Sequence, residues 1–229
     1  MPDIVRAVTP PPAPKSFFLS SEIHEYLLAH GQRPDAVQQS LIDATAALGP
    51  VAGMQIAPEQ GALMTMLTSL VGARRAVEVG PFTGYSALCI ARGLVPGGRL
   101  LCCDVSEEWT SIGRPYWEQA GVAERIDLVI APAVDTLRAL PEDPTIDIAF
   151  IDADKPNYPH YFEELVRRMP PNGLILVDNV LWSGRVVDAD ATDDNTVAIR
   201  AFNDLVAADS RVDAVMLPIS DGLTLLRRR

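Results

Sequence analysis

The amino-acid sequence predicts an α/β fold: an open, seven-stranded, mostly parallel sheet with helices on both faces and an antiparallel hairpin at its C-terminal edge. Three observations carry this. From residue 75 onward, short apolar runs alternate with longer amphipathic segments, the texture of parallel strands buried on both faces and joined by helices. The end breaks that rhythm, because apolar runs at 212–217 and 223–228 are separated only by a turn containing Ser220, Asp221 and Gly222. A hydrophobic content of 48% over 229 residues is ample for one large core.

The elements follow in order. Residues 1–16 contain Pro2, Pro10, Pro11, Pro12 and Pro14, which remove backbone donors and fix φ, so an extended arm is expected ahead of a single domain over 17–229. Helices are expected at 20–30, 34–48 and 58–71, forming an N-terminal cap. Pro34 and Pro58 mark starts, and Gly31, Gly49 and Gly72 lie just past the ends. In the second helix Val37, Leu41, Ala44 and Leu48 share one face, which reads as core packing. Strands then fall at 76–79, 99–104, 126–130, 146–151 and 174–177, with helices around 85–94, 107–120, 133–140, 158–169 and 196–208.

Charge and composition exclude several function classes. The net charge is -11, which repels nucleic-acid phosphates, and the one basic run, Arg227 to Arg229, reads as a solvated tail. Cys89, Cys102 and Cys103 all lie in apolar stretches and read as buried free thiols, which fits a cytoplasmic setting. The N-terminus lacks the pattern of a secretory signal and no apolar run approaches about 18 residues, so no membrane partner is expected.

Open parallel sheets bind ligands beyond the carboxyl ends of their strands, which directs attention to the residues there. After the first strand comes Glu78-Val79-Gly80-Pro81-Phe82-Thr83-Gly84-Tyr85-Ser86. The two glycines permit a tight turn against a ligand, or merely a tight strand-to-helix turn. Asp104 ends the second strand, where a carboxylate can accept from both hydroxyls of a ribose. A nicotinamide-dependent oxidoreductase would also use that acid, but the loop lacks the G-x-G-x-x-G pattern that seats a pyrophosphate. Glu78 would repel pyrophosphate and favour the ammonium and sulfonium charges of S-adenosylmethionine. Asp152 after the fourth strand and Asp178-Asn179 after the fifth offer three hard oxygen ligands. These suit Mg²⁺, Ca²⁺ or Mn²⁺ and are poor for zinc; the same acids could simply cap helices or solvate the rim.

The combination of Glu78 to Ser86, Asp152-Ala153-Asp154-Lys155 with Asn157-Tyr158, Asp178-Asn179-Val180-Leu181-Trp182, and Asp221-Gly222-Leu223-Thr224 resembles the cation-dependent caffeoyl-CoA/catechol O-methyltransferase family. The resemblance covers about residues 40–229, with the motifs in the family's order. It implies a Rossmann-like class I methyltransferase fold and metal ligation by Asp152, Asp178 and Asn179. It also implies cofactor contacts at Met54, Glu78, Gly80, Ser86, Asp104, Ala133 and Asp152, with Asp152 serving both ligands. Trp182, by the same resemblance, stacks on the substrate ring, although a tryptophan there also suits core packing. A homodimer is the family's usual state.

On that basis the expected activity is S-adenosylmethionine-dependent O-methylation of a small aromatic with vicinal hydroxyls, helped by a divalent cation that favours the phenolate. A phenol titrates near ~10, and lowering that by ~3 corresponds to roughly 4 kcal/mol, within the reach of a close dication. Lys155 is the candidate base, against the reading of a surface lysine paired with Asp154. The loop after Trp182, 183–195, carries no lysine cluster to receive a polyphosphate, which favours free phenolics over coenzyme A esters. Two other readings share the fold: a non-catalytic S-adenosylmethionine-binding protein and methyl transfer to protein or nucleic acid.

Overall fold

The computed structural model describes residues 19–229, so the proline-rich segment 1–16 lies outside the described residues. Seven strands form one sheet: β1 (Arg75–Val79), β2 (Arg99–Asp104), β3 (Ile126–Ile130), β4 (Ile148–Ile151), β5 (Leu174–Val177), β6 (Val212–Leu217) and β7 (Leu223–Arg228). Their order is β3-β2-β1-β4-β5-β7-β6. The first five are parallel, and β7 runs antiparallel to both β5 and β6. The order reverses between β1 and β4, which opens a crevice at their carboxyl ends.

The helices are α1 (Ser21–His30), α2 (Ala36–Ala46), α3 (Pro58–Leu70), α4 (Tyr85–Gly93), α5 (Glu107–Gln119), α6 (Ala133–Arg138), α7 (Tyr158–Val166) and α8 (Asp194–Ala208). Strand alternation sorts the apolar residues onto two faces. Val77, Val79, Ile151 and Val177 pack with Tyr158, Phe162 and Phe202 on the side of α6, α7 and α8. Ala76, Leu100, Cys102, Phe150 and Leu176 pack with Leu41, Met64, Leu88 and Trp117 on the side of α2 to α5. All three cysteines are free and buried.

Several boundaries differ from the sequence expectation by one to three residues, and at two of them the local cause is clear. The second helix starts at Ala36 because Asp35, not Pro34, caps it: Asp35 Oδ1 accepts from the N–H groups of Val37 and Gln38, and Gln38 Oε1 accepts in return from the Asp35 N–H. Gly49–Met54 forms a separate 3-10 turn instead of a plain loop. The fourth strand starts at Ile148, two residues late. Ile146 is buried, but its N–H is taken by the Arg168 carbonyl, and the Asp147 carboxylate accepts from the N–H groups of Arg74 and Arg75 at the start of β1.

Candidate active site

The strand ends are held level by backbone hydrogen bonds. Gly80 N–H donates to Cys103 O, Asp152 N–H to Val79 O, and Asp178 N–H to Ile151 O. This registration brings Asp104, Asp152 and Asp178 to one rim, and a cleft of about 1140 Å³ opens above it. Of the residues singled out from sequence, Met54, Gly80, Asp104, Ala133, Asp152, Asp178, Asn179, Lys155 and Trp182 all line the cleft.

Glu78 and Ser86 do not. Both are buried beneath the loop, and Glu78 sits within the sheet opposite Cys102 of β2 and Phe150 of β4. Its Oε2 accepts from the Cys102 thiol at 3.4 Å, while Oε1 is buried without a hydrogen-bond partner. Burial pushes the Glu78 carboxyl up to about 7, opposed by hydrogen bonding from Ser86 and Cys102.

The loop glycines answer first to the protein itself. Gly80 has φ +89°, and a Cβ there would lie 2.0 Å from the Asp152 carbonyl oxygen. Gly84 has φ +86° and lies against the Trp117 indole, whose Nε1 donates to its carbonyl at 3.0 Å. Both are demanded by close approach between elements, so tight turning accounts for them without a ligand.

Asp104 is held ready to accept. Oδ1 takes the Ser106 N–H at 2.8 Å and Oδ2 the Phe82 N–H at 3.3 Å, so each oxygen keeps capacity for a further donor. The Phe82 and Trp109 rings flank this part of the cleft, with centroids 5.7 Å apart.

At the other wall Lys155 is buried rather than on the surface, and its ion-pair partner is Asp152, not Asp154. Its Nζ donates to Asp152 Oδ1 at 3.1 Å, to Asn179 Oδ1 at 2.6 Å and to Tyr158 Oη at 2.6 Å. Asp178 is 2% exposed. Burial and the charge of Asp152 push its carboxyl up to about 7, and burial also raises Asp152 against the pull of Lys155. Burial thus raises both carboxyl groups, Asp152 despite its ion pair with Lys155.

The Asp152 carboxylate and Asn179 carboxamide at the Lys155 ammonium, with the Asp178 carboxylate beside them, form an oxygen set that fits a hard divalent cation. Among the described residues no group of three or more His, Cys, Asp or Glu side chains is arranged to hold a metal, so a nitrogen- or sulfur-rich centre does not fit.

Trp182 (φ +47°) follows this cluster and is half-buried, its ring 5.6 Å from Lys155 Nζ. The hairpin turn fixes it: Leu181 N–H donates to Asp221 O, Val180 N–H to Gly222 O, and the Asp221 carboxylate accepts from the Ser183 N–H. The segment Trp182–Val187 is a kinked 3-10 turn, not the irregular loop expected.

Two residues escaped the sequence reading. Tyr158 was visible in the motif, three residues after Lys155, and its Oη binds Lys155 while donating to Asp178 O at 3.2 Å. Gln60 gave no local signal, yet its Nε2 donates to Asp178 Oδ2 at 2.8 Å.

Strand order and crevice place the chain among α/β proteins that take a ligand at the switch point of an open sheet. The comparisons are more specific. The O-methyltransferase family model matches residues 30–229. Tricin synthase 2 of Oryza sativa subsp. japonica is 37% identical over 234 residues, covering 94% of this chain and 78% of that protein. Caffeoyl-CoA O-methyltransferase 2 of Zea mays is 35% identical over 227 residues, covering 93% and 85%. The crystal structure of the O-methyltransferase from Bacillus cereus in complex with SAH matches with a TM-score of 0.82 at 31% identity, covering 91% of this chain and 97% of that one. The chain belongs to this O-methyltransferase family, and is a S-adenosylmethionine-dependent O-methyltransferase.

Proposed function

We propose that the chain methylates one hydroxyl of a small, catechol-like vicinal dihydroxy aromatic in a reaction that depends on a divalent cation, Mg²⁺ or one of Ca²⁺ and Mn²⁺. The observation that carries this reading is that Lys155 Nζ donates to both Asp152 Oδ1 at 3.1 Å and Asn179 Oδ1 at 2.6 Å, beside the buried Asp178.

In this reading Asp152, Asp178 and Asn179 hold the cation. Bound there, it would supply the charge that makes a phenolate preferable to a phenol near neutral pH. Lys155 Nζ, steadied by Tyr158, would receive the hydroxyl proton as the neutral amine. Trp182 gives the acceptor ring a face, and the hairpin behind it keeps that face fixed. On the donor side, the Asp104 oxygens accept from a ribose, and Glu78, buried behind the cleft wall, lends negative charge that favours the positive end of the methyl donor. Gly80, Ser86, Met54 and Ala133 complete that half.

The cleft wall supports a free phenolic over a coenzyme A ester. Among the described residues Lys155 is the one cationic residue lining it, whereas Asp104, Asp152, Asp154, Asp178 and Asp221 are all present. Arg185, just outside, is paired to Asp193. A polyphosphate would meet net repulsion. The test is methyl transfer over a panel of catechols and their coenzyme A esters, with and without EDTA. Expected is activity on free catechols that EDTA abolishes and Mg²⁺ or Mn²⁺ restores. Turnover that survives chelation refutes the metal dependence, and preference for the esters refutes the substrate class.

A further inference from the structure

Gln60 lies in the first turn of α3, outside every strand-end motif, and is fully buried. Its Nε2 reaches across 118 residues of sequence to Oδ2 of Asp178. The other oxygen of that carboxylate, Oδ1, accepts the Asn179 N–H at 2.7 Å. One donor on each oxygen fixes the rotation of the carboxylate and leaves each oxygen free to face a further partner.

The amide itself points to a role beyond filling space. Its Oε1 is buried with no hydrogen-bond partner, an unfavourable state that a methionine of similar length would avoid. The orientation of the amide is set by Asp178 alone, since the flipped amide would bring a carbonyl oxygen against a carboxylate. Just ahead of Gln60, residues Gly53, Met54, Gln55 and Ile56 form part of the cleft wall. Gln60 is thus a direct link between the N-terminal helical cap and the β5 end of the site.

We propose that Gln60 is a positioning residue for the divalent-cation centre, its amide holding the Asp178 carboxylate in the orientation that ligates the ion while pinning the helical cap to that centre. The inference rests on the metal-dependent reading above. Outer partners of ligating carboxylates commonly contribute 10- to 100-fold in metal affinity.

The test uses Gln60→Met, which keeps length and volume and removes the donor. Mn²⁺ is titrated into the full chain without methyl donor or acceptor, and the free ion is followed by its EPR signal. S-adenosylhomocysteine affinity and thermal midpoint are measured in parallel. Expected is a Mn²⁺ Kd raised about 10-fold or more, with S-adenosylhomocysteine binding unchanged. Wild-type Mn²⁺ affinity in the folded variant overturns the proposal, as does a parallel loss of both affinities with a lowered midpoint, which is the signature of packing alone. Gln60→Asn, which withdraws the amide from Asp178 by one methylene, carries the same expectation if the first variant does not fold. A wild-type chain that binds no Mn²⁺ sinks the metal reading itself, whereas wild-type binding that is indifferent to Gln60 sinks only this inference.

Discussion

Replacing Glu78 by Gln separates what this carboxylate does for ligand binding from what it does to the fold. Glu78 is 0% exposed, and burial lifts its carboxyl from the ordinary 4.5 to about 7. The folded chain then binds a proton that the unfolded chain releases, so stability declines as pH rises from about 4.5 to about 7 and the full penalty is present above that window. The gap corresponds to about 3 kcal/mol. Gln is nearly isosteric and cannot ionise, so Glu78→Gln removes the penalty. Urea denaturation of the ligand-free chain is the assay, run on both proteins near about pH 5 and about pH 8. Expected is near equality at the lower pH and a variant more stable by about 3 kcal/mol at the higher, equivalent to roughly 6 to 12 °C for a chain of this size. Taking the difference between the proteins cancels every other titrating group. The same variant is expected to bind S-adenosylmethionine about tenfold or more weakly, through loss of a buried negative charge behind the donor half of the cleft. A stability difference that is the same at both pH values would refute the reasoning.

Two further predictions concern residues on either side of the cleft. Lys155→Met is expected to lower kcat by about 100-fold or more at neutral pH, with little change in acceptor KM and partial recovery at alkaline pH, where the acceptor ionises unaided; steady-state kinetics against pH check it, and unchanged turnover removes Lys155 from proton transfer. Gly80→Ala puts a Cβ 2.0 Å from the Asp152 carbonyl oxygen at φ +89°, so a loss of roughly 2 kcal/mol or more is expected from clash and strain together. A wild-type thermal midpoint would show that the β1 and β4 ends do not press together.

The strands were legible because their signal is local: both faces of the sheet are covered, so each strand writes itself as a short continuous apolar run. Ile146 shows where such a signal misleads. It is as buried as a strand residue, but the Arg168 carbonyl takes its N–H, a partner that lies beyond α7 and cannot be read from the run itself. Loop glycines are legible only as a pair of alternatives: Gly80 and Gly84 suit a ligand-hugging or a merely tight turn, and their free faces meet Asp152 and Trp117, while Gly80 also lines the cleft. The acids at the strand ends were legible as a set since parallel strands finish level. The sequence places Glu78 beside the ligand loop but not its direction, and strand alternation turns it inward, onto the face shared with Cys102 and Phe150. Gln60 was invisible because nothing in residues 58–70 encodes a partner 118 positions away.

How the chain treats its buried charges separates those that serve the fold from those that serve the site. Arg168, 1% exposed, donates to Glu164 Oε2 and to the carbonyls of Pro141, Leu140 and Glu164, so its guanidinium is satisfied within the protein and locks the segment before β4 onto α7. Glu78 and Asp178 are treated otherwise. Both are held where burial drives them toward the neutral acid, Glu78 with an oxygen lacking any partner, and the charges that raise Asp178 and Glu78 come in part from Asp152. Folding alone gives no reason to keep these carboxyl groups, since uncharged residues of the same size would avoid the penalty. A ligand-borne positive charge gives one, because it turns the same burial into stronger attraction in a low-dielectric place. Glu78 and Asp178 sit on opposite sides of the β1–β4 switch point, one buried under the β1 loop and one at the end of β5. Binding of a cationic methyl donor and of a metal ion would each relieve one of them, so each ligand is expected to stabilise the fold more strongly at pH 8 than at about pH 5.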